Sequence, residues 1–291
     1  MISFLCDGHN VPWFFPRIVK RIDPKDVAII YIPTFDYSNE RGIHFSPGFV
    51  SLIRGLVKRK PRPSRTIFKM LNLLGIVRND IKDFEVILDL LITLWITRRA
   101  PIREIFDIIL EGLGSKYSVV PLVEPLTSTI IKTETKIIRP VDLNKEKEEI
   151  KNIEFVPKDI EICEKAIESI NNSDKLVLFA ISPLSFLYLK NVGKISNIMK
   201  GYKGQIIYVL PSSLEEGDKC LLRFLKAEPS FIGLLNMLNG SVDSVVFSEE
   251  RKDILEKMQE LKFSCLPMMF YSEDISIKRK IIDDFTRLLT R

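Results

Sequence analysis

Short apolar runs recur along this chain, each closed by a turn former and most followed by a stretch with helical spacing. At the amino end Ile2-Ser3-Phe4-Leu5-Cys6 stops at Asp7-Gly8, and Val27-Ala28-Ile29-Ile30-Tyr31-Ile32 stops at Pro33. In the second half the strand candidates are 176–181, 205–210, 242–247 and 263–268. Helical periodicity occupies 159–170, 184–199, 229–238, 249–261 and 275–289. In the last of these Ile277, Ile281, Ile282, Phe285, Leu288 and Leu289 share one face. Strands apolar on both sides and alternating with helices need cover on both faces. The expected class is therefore α/β, with a doubly wound, mostly parallel sheet.

The middle breaks this rhythm. Residues 49–58, 63–74, 81–96 and 102–113 read as successive helices, punctuated by Gly75, Pro101 and Gly114. Residues 117–122 and 128–135 read as strands, with 136–139 a continuation, and 144–149 is a solvated charge run. The expected organisation is a single α/β domain over 1–291, with a mainly helical insertion at 49–116 set over the strand ends.

A chain of 291 residues, 46% hydrophobic and 28% charged, can bury a sizeable core and lacks the polarity of a disordered one. The excess of 43 basic over 38 acidic residues favours anionic ligands mildly, but it is too small and dispersed to indicate nucleic acid. Cys6, Cys163, Cys220 and Cys265 lie outside metal-ligand spacing and among apolar neighbours, as reduced, mostly buried thiols of an intracellular protein do. His9 and His44 are too few for a His-rich metal site. The longest apolar segment, 86–96, contains Asp89 and Thr93 and falls short of the ~20 residues of a spanning helix. Residues 1–6 are too short for a signal peptide. A soluble, cytoplasmic protein is expected, with no membrane partner.

Ligands of open parallel sheets sit outside the carboxyl ends of the strands, near the switch in strand order. Four loops leave such ends: Asp7-Gly8-His9-Asn10, Thr34-Phe35-Asp36, Ser182-Pro183-Leu184-Ser185 and Pro211-Ser212-Ser213. A helix start can hold an anion on its first N–H groups, although Ser182-Pro183 also reads as a plain N-cap with proline behind it. Asp36 could hold magnesium, or serve as one of several turn formers in its loop. His9 could contact a ligand phosphate, and His44 reads as a half-buried strand or turn residue. The basic, proline-broken stretch 58–65 could steer a phosphorylated substrate or simply be solvated surface, and without aromatic residues it is a poor platform for single-stranded nucleic acid. Gly-x-Ser-x-Gly, Walker, paired-cysteine zinc and Gly-x-Gly-x-x-Gly motifs are absent.

One stretch carries a more specific signal. Ala227-Glu228-Pro229-Ser230-Phe231-Ile232-Gly233-Leu234, followed by Leu238-Asn239-Gly240-Ser241-Val242-Asp243-Ser244-Val245-Val246-Phe247, resembles a signature of the 2-phospho-L-lactate transferase family. The likeness runs nearly end to end. Thr34-Phe35-Asp36-Tyr37, Gly42 and Ser46-Pro47-Gly48 resemble the family's Gly-Asp-Asp and Ser-Pro-Asp loop. Val120-Pro121-Leu122-Val123-Glu124, Ala180-Ile181-Ser182-Pro183 and Cys265-Leu266-Pro267-Met268-Met269 match later motifs. In the family's GGTG-type first loop only Gly8 fits, Tyr37 replaces one aspartate, and Gly48 replaces another.

The resemblance implies a Rossmann-like core with an inserted subdomain. It also implies magnesium-dependent transfer of a phospholactyl group from a guanosine diphosphate-linked donor to a deazaflavin acceptor. Carried onto this sequence, Asp36 would be the metal ligand and catalytic residue. Gly8, Asn10, Thr34, Ser46, Ser182 and Ser185 would line the nucleotide or donor phosphates. A non-catalytic relative that binds a nucleotide or phosphorylated metabolite is the alternative, with a homodimer as one assembly left open.

Overall fold

The computed structural model describes residues 1–57 and 83–290, apart from positions 10, 12, 41, 147, 159, 192–194, 239, 258, 259, 261 and 262. The expectations for a helix at 63–74, for the basic stretch 58–65 and for Asn10 lie outside the described residues.

Seven strands build the central sheet: β1 Ile2–Cys6, β2 Val27–Tyr31, β3 Val119–Pro121, β4 Lys175–Phe179, β5 Gln205–Val209, β6 Ser244–Ser248 and β7 Ser264–Met268. Their order is β7-β6-β5-β4-β1-β2-β3 and every pairing is parallel. The chain winds outward from β1 in one direction, then returns to lay β4 on the other side of β1. The switch point therefore falls between β1 and β4, as in other doubly wound sheets.

Alternation along each strand splits the core in two. Phe4, Ile29, Val177 and Ile207 face one side, under helices Phe15–Val19, Pro47–Leu56, Asp83–Thr97, Ile102–Gly112 and Ile275–Thr290. Their neighbours Leu5, Ile30, Leu178 and Tyr208 face the other, under helices Glu164–Asn171, Pro183–Asn191, Ile195–Gly201, Phe231–Met237 and Lys252–Lys257. This two-sided cover is what the unbroken apolar runs required.

The Glu228–Gly233 motif is a packing device. Ser230 Oγ accepts the Gly233 amide at 3.1 Å, capping helix Phe231–Met237, and a Cβ on Gly233 would overlap the Glu228 carbonyl. Elsewhere several sequence expectations need correction. The run 159–170 is not all helix: Glu161–Ile162 pairs antiparallel with Val123–Glu124, and the helix starts only at Glu164. The stretch 184–199 is two helices, Pro183–Asn191 and Ile195–Gly201. Ser128–Lys132 does not continue through 136–139. It turns at Thr133, whose amide bonds the Lys136 carbonyl, and pairs back with Ile137–Ile138 and with Asn152–Val156 on its other edge. Strand Asn152–Val156 and helix Glu216–Phe224 were not anticipated.

All four cysteines are free, with Cys6 and Cys163 buried. Among the described residues no helix is long and apolar enough to cross a membrane.

Candidate functional site

Two buried carboxylates organise the loops at the carboxyl ends of the strands. The first belongs to Asp7, directly after β1. Its Oδ2 accepts the Ser182 amide at 2.9 Å and the Ser185 hydroxyl at 2.7 Å, while Oδ1 accepts the His9 amide at 2.9 Å. The Ser185 amide donates to Ser182 Oγ at 3.2 Å, and Thr34 Oγ1 lies 2.7 Å from Ser185 Oγ. Asp7, Thr34, Ser182 and Ser185 are all fully buried.

The Asp7 carboxylate thus caps helix Pro183–Asn191 from across the switch point. That is where free amides and the helix dipole favour a negative group. The chain supplies the anion itself.

Backbone contact explains how Asp7 is held. Gly8 has φ +75°. A Cβ on Gly8 would overlap the Gly48 carbonyl, and one on Gly48 would overlap the Asp7 carbonyl. The two loops lie flush, which only glycine permits at both places. Beyond β4, Ala180 has φ +52°, a conformation costly for a residue with a Cβ.

The second carboxylate is Asp36, also fully buried. The Tyr31 hydroxyl donates to Oδ1, the Ser46 hydroxyl donates to Oδ2 at 2.9 Å, and His44 Nε2 lies 3.1 Å from Oδ2. His44 is itself buried, and its Nδ1 faces Ser128 Oγ at 3.4 Å and Ser38 Oγ at 3.5 Å. Those hydroxyls are 2.9 Å apart. The Ser46 amide donates to Asp89 Oδ1 at 3.0 Å.

Burial pushes the Asp89 carboxyl up to about 8; the Asp36 charge adds to this and the Ser46 amide opposes it. Burial likewise lifts Asp218 to about 7, with the charges of Asp7 and Glu215 adding and the Glu215 amide opposing. The Tyr31 phenol is raised well above its ordinary value by burial first and then by Asp36.

As arranged, these side chains do not fit a magnesium ion. Both oxygens of Asp36 take hydrogen bonds from protein donors, and a hard cation would need one of them freed. Among the described residues no group of three His, Cys, Asp or Glu side chains could hold a metal. At the rim, the His9 ring stacks on Phe35 with centroids 4.0 Å apart, and its Nε2 lies 3.9 Å from Glu215.

Gly8, Thr34, Ser182 and Ser185 from the strand-end loops, and Ser46 from the family resemblance, lie beside the Asp7 and Asp36 carboxylates. Sequence reasoning missed Asp7 as an internal ligand, and Tyr31, His44 and Asp89 as partners around Ser46 and Asp36. A buried tyrosine ending a strand and an aspartate inside an apolar helix were the signals available. His44 is more deeply buried than expected, at 4% exposure, because Asp36 is there to meet its ring nitrogen.

No protein-family profile matches this sequence, and neither does any curated protein. Among solved structures the chain is similar to a UPF0052-family protein, BH3568 of Bacillus halodurans. One crystal structure of it superposes with a TM-score of 0.66 at 14% identity, covering 100% of this chain and 99% of the other. A second gives 0.63 at 15% identity, covering 96% and 98%. The likeness extends over the whole length and is one of fold.

Proposed function

We propose that this chain binds a phosphorylated small molecule of nucleotide type at the crevice between β1 and β4, without metal-dependent phospholactyl transfer. The observation that carries the reading is the seat formed by the Ser182 amide and the Ser185 hydroxyl, which already holds a carboxylate at 2.9 and 2.7 Å. A phosphate oxygen offers the same acceptor chemistry with more charge. The whole-length fold shared with a UPF0052-family protein and the motif resemblance to 2-phospho-L-lactate transferases support the same location.

Asp7 competes for that seat, so binding requires its displacement and affinity falls by the fraction of chains in which it is displaced. Displacement would also release the His9 amide from Asp7, which would couple the ligand to the rim in the manner of a regulatory protein. The transfer reading asks more, because a cation at Asp36 would have to replace Tyr31, Ser46 or His44.

A thermal-shift series with guanosine mono- and diphosphate and inorganic phosphate, each with and without magnesium, tests the proposal. Stabilisation should follow RT ln(1 + [L]/Kd) and be indifferent to magnesium. A flat response to every phosphate would overturn it, and a shift that needs magnesium and vanishes in Asp36→Ala would restore the transferase reading.

A further inference from the structure

We propose that Ser38 is an activated hydroxyl nucleophile toward carboxylic esters, with His44 as its base and Asp36 as the residue that positions His44. This goes beyond the ligand reading and uses different side chains.

Geometry fixes the roles. Asp36 accepts from the Tyr31 and Ser46 hydroxyls, and the His44 nitrogen 3.1 Å away, Nε2, is placed as its third donor. Nδ1 is then left with a lone pair, and that lone pair faces two hydroxyls, Ser128 at 3.4 Å and Ser38 at 3.5 Å. The Tyr31 and Ser46 hydroxyls also donate to Asp36, so its charge is held in place in a site from which water is excluded. Acid, imidazole and hydroxyl in series are the arrangement by which a serine is activated on unrelated folds.

The serines differ in access. Ser38 is exposed, whereas Ser128 is half-buried and sits 2.9 Å from Ser38 Oγ. Ser38 therefore meets the substrate, and Ser128 holds it against His44. Ser38 and His44 are direct cross-strand partners in the antiparallel pair Tyr37–Ser38 and His44–Phe45, which fixes the spacing between hydroxyl and ring. The bonds of 3.4 and 3.5 Å are long, as such contacts often are before a substrate tightens them.

In the reaction Ser38 Oγ bonds to the ester carbonyl carbon and its proton passes to His44 Nδ1. The ester C–O bond breaks, and the leaving alkoxide departs as an alcohol with that proton. Water then attacks the acyl-serine, giving a carboxylic acid and restoring the Ser38 hydroxyl. No other co-reactant is needed.

The test is covalent labelling by a fluorophosphonate probe, with the adduct mapped by peptide mass spectrometry, alongside hydrolysis of p-nitrophenyl acetate. The adduct should sit on Ser38, disappear in Ser38→Ala, and form slower by roughly tenfold or more in His44→Gln. Ser212, exposed and outside the cluster, is an internal comparison that does not depend on how the His44 variant folds. Ser38 should react at least about tenfold faster than Ser212 in the wild-type chain. No adduct at Ser38, a rate equal to that of Ser212, or a folded His44→Gln that labels at the wild-type rate would each overturn the assignment.

Discussion

Asp7 and Ser182 are separated by 175 positions, yet the carboxylate of one accepts the amide of the other at 2.9 Å. The bond ties the two halves of the sheet together at the place where ligands of such sheets are held. It makes the first prediction two-sided. Asp7→Ala should lose about 2–3 kcal/mol of stability, because the buried Ser182 amide and Ser185 hydroxyl, with the half-buried His9 amide, lose a charged acceptor. The same variant should gain affinity for inorganic phosphate, since nothing competes for the seat. Urea unfolding measured with and without phosphate reads both, and a folded variant blind to phosphate would count against the proposed ligand.

Asp36→Ala should cost about 3 kcal/mol or more, because the Tyr31 and Ser46 hydroxyls and the His44 ring are buried and would lose their common acceptor. Chemical unfolding of the variant against wild type measures it. A loss below about 0.5 kcal/mol, the range of an ordinary surface substitution, would mean the network is not formed in solution.

Asp89 carries a pH signature. Its carboxyl is lifted to about 8 in the folded chain, against about 3.9 when unfolded, so folding takes up a proton between those values. Its contribution to stability is therefore present at low pH and is lost as pH rises through that window. Asp89→Asn keeps an acceptor for the Ser46 amide but cannot ionise. It should gain on wild type from pH 5 upward, by about 1–3 kcal/mol at pH 9. Unfolding midpoints at pH 5, 7 and 9 check it, and a constant difference across that range would refute the buried proton.

Gly48→Ala should destabilise by about 2 kcal/mol or more, since the new methyl must push the Asp7 carbonyl away. Gly233→Ala should behave similarly against Glu228, whereas Ser230→Ala should cost only the cap, about 1 kcal/mol. Thermal melting of the three variants gives the ranking.

The fold was legible where burial and periodicity agree. Each strand of the central sheet except the short β3 and β7 is a largely apolar run with a turn former soon after it, and β3 and β7 fall within expected strands. Helix Glu216–Phe224 was hidden because Glu216, Asp218, Lys219 and Arg223 surround the buried pair Leu221-Leu222. The site was legible to the level of loops. Knowing that ligands collect at strand ends picks out Thr34, Asp36, Ser182 and Ser185. Which side chains then meet is decided by packing between segments far apart in sequence, such as Ser46 with Asp89, and no local pattern encodes that.

The placement of β1 has a consequence for how the molecule assembles. Its residue Ile2 pairs with Val27 on one side but with Lys175 on the other, whereas β4, β5, β6 and β7 each follow their neighbour along the chain. Contacts between near segments form quickly and those that close long loops form slowly. The β4–β7 half can therefore condense as a unit before β1 docks, and the Asp7–Ser182 bond cannot exist until it does. Competence of the crevice is then a late event in folding, acquired in one step with the joining of the two halves.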